Sequence, residues 1–128
     1  ADRKANPWIR IPAGAAKAFL DLPAPPPDDA PGQFSMENEG RVQQILHDAG
    51  WSEIGLERFT VDGSIGSDAA DAASFITKMG PMSEPFALAD SDTQNKTLQV
   101  IEEALTPYAN DSGVTLGFST WIVSAMPD

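Results

Sequence analysis

The chain has no cysteine, one histidine and one tyrosine, and only 8 basic residues against 19 acidic ones. Without cysteine there is no disulfide, no zinc–thiolate site and no thiol nucleophile. The single histidine, His47, cannot build a His-rich metal cage. A formal net charge of −11 argues against nucleic acid, because phosphate binding needs clustered Lys and Arg to displace counterions. The same charge disfavours an anionic membrane surface. No apolar run approaches the ~18 residues of a membrane span. The sequence opens Ala1-Asp2-Arg3-Lys4, with neither a Met nor a secretory apolar region. These absences lead us to expect an internal segment or a processed chain, cytoplasmic, with neither nucleic acid nor membrane as partner.

What is present is a globular composition: 128 residues, 41% hydrophobic and 21% charged, enough for one domain or a piece of a larger one. Seven of the eleven prolines fall in residues 1–33. Ala15, Ala16, Phe19 and Leu20 would share a face of a short helix over Ala13–Leu22. The run Leu22-Pro23-Ala24-Pro25-Pro26-Pro27-Asp28-Asp29-Ala30-Pro31-Gly32 cannot continue it, because proline lacks the N–H and restricts its predecessor. We read residues 1–33 as a Pro-rich segment, either a linker or a strap over a cleft, and 34–128 as a helix–strand–helices–strand body.

Three stronger helices are expected. In 39–49, Val42, Ile45, Leu46 and Ala49 recur at helical spacing, with Asn38 as N-cap and Gly50 as the stop. In 68–79, Ala69, Ala72, Ala73, Ile76 and Met79 form one side, ended by Gly80-Pro81. In 92–106, Leu98, Ile101, Leu105 and Tyr108 form a stripe. Met82–Ala89 reads as a helical turn. Two strands are expected, at 52–61, ended by Gly63 and Gly66, and at 115–125. The fold class is therefore α+β with an antiparallel pair. Ile54 and Leu56 share one face of the first strand, Phe59 and Val61 the other. In the second strand Leu116, Phe118, Thr120 and Ile122 oppose Trp121, Val123 and Ala125. Strands apolar on both faces normally lie inside a sheet covered on both sides, and a lone two-stranded ribbon is marginal in water. Either the chain lacks sheet partners supplied elsewhere, or its own helices cover the ribbon as a small two-layer domain.

No catalytic constellation is visible. Gly63-Ser64-Ile65-Gly66 follows a strand but is neither G-x-G-x-x-G nor a P-loop. There is no G-x-S-x-G elbow. His47 lies beside Asp48, off the apolar stripe, and reads as a solvated helix residue. Asp68, Asp71, Asp90 and Asp92 sit where helix N-termini favour negative charge, not where a metal is expected. What stands out is a set of aromatic residues in irregular segments: Trp8 after Asn6-Pro7, Phe34 after Pro31-Gly32-Gln33, and Phe86 after Gly80-Pro81. Each is either satellite core or pocket lining.

The order of these features is similar to something known. Asn6-Pro7-Trp8 and the Pro-rich run are followed by Pro31-Gly32-Gln33-Phe34-Ser35. Then comes Arg41-Val42-Gln43-Gln44-Ile45-Leu46-His47-Asp48-Ala49-Gly50-Trp51. The Gly80-Pro81 and Pro107-Tyr108 stops and the closing Trp121-Ile122-Val123-Ser124-Ala125 complete it. Over about residues 4–127 the chain resembles the C-terminal half of class I S-adenosylmethionine-dependent methyltransferases of the small-molecule "type 11" kind. The resemblance implies that the two strands are the last, antiparallel pair of a seven-stranded sheet. It implies that the intervening helices and the Asn-Pro-Trp segment cap an acceptor substrate. Asn6, Trp8, Phe34 and Phe86 would then be substrate-binding residues, and a nucleophilic atom of a small-molecule methyl acceptor would attack the sulfonium methyl group. The family's Gly-rich cofactor loop and ribose-holding acid belong to its N-terminal half. S-adenosylmethionine is accordingly expected in an intact enzyme and not on this chain alone, which is expected to be inactive by itself. The rival expectation is a non-catalytic, acidic α+β binding or dimerisation module, with a homodimer through an exposed sheet edge.

Overall fold

A computed structural model describes residues 2–24, 27 and 30–128. The extended reading of Pro25, Pro26, Asp28 and Asp29 lies outside the described residues. The order is α1 (Pro7–Ala16), α2 (Glu39–Asp48), β1 (Trp51–Gly66), α3 (Ala69–Ile76), α4 (Ser83–Leu88), α5 (Ser91–Leu105), β2 (Ala109–Asn110) and β3 (Gly113–Pro127). The class is α+β, with five helices and a three-stranded antiparallel sheet in the order β1-β3-β2 among the described residues.

The first helix departs from expectation. It begins at Pro7 and ends at Ala16, instead of running from Ala13 to Leu22. Pro7 stands at the first helical position, where its missing N–H would be unpaired anyway and its fixed φ suits the helix. The chain leaves α1 through tight turns, Ala18 N–H to Ala15 O and Leu20 N–H to Ala16 O, which bury Leu20 and expose Phe19. The other helices start where side-chain oxygens cap them. Asn38 Oδ1 accepts from Arg41 N–H at 2.9 Å, Asp68 Oδ1 from Asp71 N–H at 2.7 Å and Asp90 Oδ1 from Thr93 N–H at 2.7 Å. Asp71 reaches back past the cap and accepts from Ser67 N–H at 2.9 Å. Gly50, at φ 87°, stops α2 in the left-handed region as its sequence position predicts.

β1 and β3 pair antiparallel over nearly their whole lengths, from Trp51↔Pro127 to Gly66↔Val114. β1 is longer than expected: Gly63 and Gly66 stay within the strand. A bulge between Ser52 and Gly55 places Glu53 at φ 47°, and a second lies between Ser64 and Gly66. The core is built by α1, α3 and α5 against the end of the sheet nearest β2. It holds Ala16, Ile65, Ala72, Ile76, Met82, Ile101, Leu105, Val114 and Leu116. Of the two alternatives for strands apolar on both faces, coverage of the ribbon by the chain's own helices does not hold along its whole length. Phe59, Val61, Ile122, Val123 and Met126 are exposed, and Ile54, Leu56 and Trp121 are only half-buried. The described helices are too few to cover the far half of the ribbon; among them α2 packs on β1.

Candidate functional site

Asn6, at the entrance to α1, is buried and sits at the edge of β3 that faces away from β1. Its Oδ1 accepts from Ser119 N–H at 2.9 Å and from the Trp8 indole Nε1–H at 3.2 Å. Its Nδ2 donates to Ser119 O at 3.1 Å and to Asp2 O at 2.8 Å. The amide thus uses both acceptor positions and both donors within the protein. It behaves as a one-residue strand, satisfying the outward N–H and C=O of Ser119. The resemblance implied a substrate contact for Asn6; in the structure its side chain ties α1 and Trp8 to the sheet, and the residue also lines the cleft described next.

Trp8 stacks on Phe118, with centroids 4.6 Å apart and planes 12° from parallel. With Asn6, Phe34, Phe59, Val61 and Phe118 it lines a cleft of about 320 Å³. Phe34 also lines a second cavity of about 680 Å³, between α1 and the segment leading to α2. Three of the four residues singled out in sequence are therefore neighbours. Phe86 is not among them: it packs against the core from α4, and its carbonyl accepts Gln94 Nε2–H at 2.8 Å.

Electrostatics tie the segment around this region together. Arg3 lies over the Phe34 ring at 5.1 Å, and Arg58 lies over the Trp121 ring at 4.8 Å while reaching Asp2 at 3.6 Å. Trp121 Nε1–H donates to Glu37 O at 3.1 Å. The Asp2 carboxyl is held below its ordinary value of 3.8, chiefly by the Ala5 N–H that it accepts; partial burial opposes this and Arg58 assists it. The residues missed in sequence are the cations of the larger cavity, Arg3, Arg10 and Lys17. Their signal was the seven-residue spacing of Arg10 and Lys17, two helical turns, which is legible only once the helix is placed at Pro7.

The glycine-bearing end of β1 does not fit a bound cofactor. A Cβ on Gly63 would lie 2.6 Å from the Phe118 ring, and one on Gly66 would collide with the Ala72 backbone. Both glycines serve close packing within the chain, so neither leaves room for a ligand. His47 is exposed on α2, with Nδ1 3.6 Å from Asp48 Oδ1. Among the described residues no group of three or more His, Cys, Asp or Glu could hold a metal ion, and no helix is long and apolar enough to cross a membrane. Searches of protein-family models, curated proteins and solved structures return no match to this chain.

Proposed function

We propose that this chain is the acceptor-substrate side of an S-adenosylmethionine-dependent methyltransferase, completed by an N-terminal cofactor-binding half. The observation that carries the reading is the second edge of β3. Ser119 directs its N–H and C=O away from β1, toward Asn6. By antiparallel alternation the backbone groups of Trp121, Val123 and Ala125 point the same way. No described strand pairs with β3 there; β2 reaches only Gly113 and Val114. Beyond Asn6, the stretch from Trp121 to Ala125 is the place for a further strand of a larger sheet, and the resemblance supplies one. Residues 2–6 run beside the same edge, so a preceding segment would be delivered to it.

This chain's own part is to bind and orient the acceptor beneath α1 and the 30–37 segment, with Trp8 and Phe34 as apolar walls and Asn6 as the residue that positions Trp8. Gly63 and Gly66 pack against Phe118 and Ala72 and form no cradle for S-adenosylmethionine. The test is to read the coding sequence ahead of Ala1 and to assay its whole product with methyl-labelled S-adenosylmethionine. A strand, a Gly-rich turn and a helix upstream, with label passing to a small molecule, is the expected result. A start codon close to Ala1 would overturn it, as would micromolar binding of S-adenosylmethionine to the 128-residue chain in calorimetry.

The exposed stripe of Phe59, Val61 and Ile122 favours a second reading, an acidic module that binds or dimerises through its sheet. A short reading frame together with a concentration-dependent dimer would establish it in place of the first.

A further inference from the structure

We infer that the cavity between α1 and residues 22–24 and 30–37 binds a small organic anion: an apolar, ring-sized body carrying a carboxylate or a similar single negative charge. Its volume of about 680 Å³ lies within the ordinary range for small-molecule sites, ~300–1,000 Å³. Ile9, Ala13, Leu22, Pro23, Phe34 and Pro81 give it apolar walls. An inorganic ion would leave most of that space and surface unfilled.

The charge is as informative as the volume. The whole chain carries −11, yet three of its eight basic residues, Arg3, Arg10 and Lys17, line this one cavity. Among the described residues only Glu37 opposes them there, and none of the three is ion-paired with a described carboxylate. Arg3 is held in place by the Phe34 ring beneath its guanidinium. Arg10 and Lys17 stand two turns apart on one face of α1, with Ala13 and Gly14 between them. Two small residues between two long cations make a recess with a positive rim. A ligand there would lay its apolar body on Ala13, Gly14 and Phe34 and turn its anion toward the cations, as charge-assisted hydrogen bonding favours. Gly14 is open ground: a Cβ added to it meets no atom within 4 Å.

Binding by this cavity stands on the geometry alone. That the bound anion is the methyl acceptor rests on the reading of the preceding subsection, with Phe34 as the wall that this cavity shares with the Trp8 cleft. The experiment is calorimetric titration of the chain with 2-naphthoate, 2-naphthylmethanol, 2-naphthylmethylamine and inorganic phosphate. Naphthoate is expected to bind at least tenfold more tightly than the alcohol, with the amine and phosphate weaker still. Arg10→Gln with Lys17→Gln should weaken naphthoate at least tenfold and leave the alcohol unchanged. Gly14→Leu should abolish binding of both while the melting temperature holds or rises, since leucine is the better helix former. Equal affinity for naphthoate and the alcohol overturns the inference, as does phosphate binding equal to naphthoate, or a Gly14→Leu chain that stays folded and still binds. If naphthoate binds as expected but the whole gene product transfers no methyl group, the methyltransferase reading falls and this inference stands.

Discussion

The two ends of the β1–β3 ribbon are made of the same material and meet different fates. On one face of β3, Leu116, Phe118, Thr120 and Ile122 follow one another. Leu116 is 4% exposed and Ile122 is 51% exposed. Near β2, the ribbon lies under α1, α3 and α5, and Ile65, Val114 and Leu116 join the core. At the far end only Ser119 is buried, and it is buried by Asn6. Apolar alternation makes a strand at both ends, but a strand's face is buried only where another element is packed on it. The uncovered end is therefore the part of the fold that points to something further.

The sharpest break of that contrast is to truncate the same face at both ends. Leu116→Ala should cost about 2–5 kcal/mol in chemical denaturation, because it removes buried methylenes and leaves a cavity. Ile122→Ala should cost about 0.5 kcal/mol or less. Equal costs would mean that the far end is covered in solution.

Asn6→Ala is next. It strands the N–H and C=O of Ser119 and the indole N–H of Trp8, and should cost about 1–3 kcal/mol. The associated readout is a red-shifted Trp8 emission in a chain carrying Trp51→Phe and Trp121→Phe. An unshifted emission would mean that the amide does not hold Trp8 to the sheet.

Charging the uncovered end should change association more than stability. Phe59→Lys with Ile122→Lys should move the chain toward a monomer in light scattering while its denaturation midpoint stays nearly constant. An unchanged particle size would remove the exposed stripe as a contact surface.

The smallest effect is on the acid side. Asp2 and Asp90 are both held below their ordinary value of 3.8, Asp2 mainly by the Ala5 N–H and Asp90 mainly by the Thr93 N–H of its helix cap. A lowered carboxyl stabilises the fold above its unfolded value, and that contribution is lost as pH falls below 3.8 through the folded value. Melting temperature should therefore drop on the acid side, and Asp90→Asn should flatten the drop. At the other extreme, Lys96 is raised above 10.5, first by its hydrogen bond to Asp92 at 2.8 Å. Its contribution is complete below 10.5 and disappears as pH rises through the folded value.

Much of the secondary structure was legible because its signals act within a few residues. Asn38, Asp68 and Asp90 cap the helices they precede, Gly50 stops α2, and the helical stripe at Leu98, Ile101 and Leu105 sets α5. The one helix misplaced, α1, begins with a proline and contains another, Pro12, so its pattern resembled a turn. The site was half legible. Loop aromatics pointed to Trp8 and Phe34, but the same rule chose Phe86, which packs against the core.

By itself the sequence determined most of the helices and the two long strands, that those strands are apolar on both faces, and that no thiol or multi-histidine chemistry is available. These follow from composition, capping and periodicity, which are local properties of the chain. Only the tertiary structure decided which half of the ribbon is covered, that Asn6 serves the sheet edge, and that Arg3, Arg10 and Lys17 meet around one cavity. Each of those depends on segments far apart in the chain; Asn6 and Ser119 are separated by 113 positions. No local preference carries information across such a distance; packing of the finished core does.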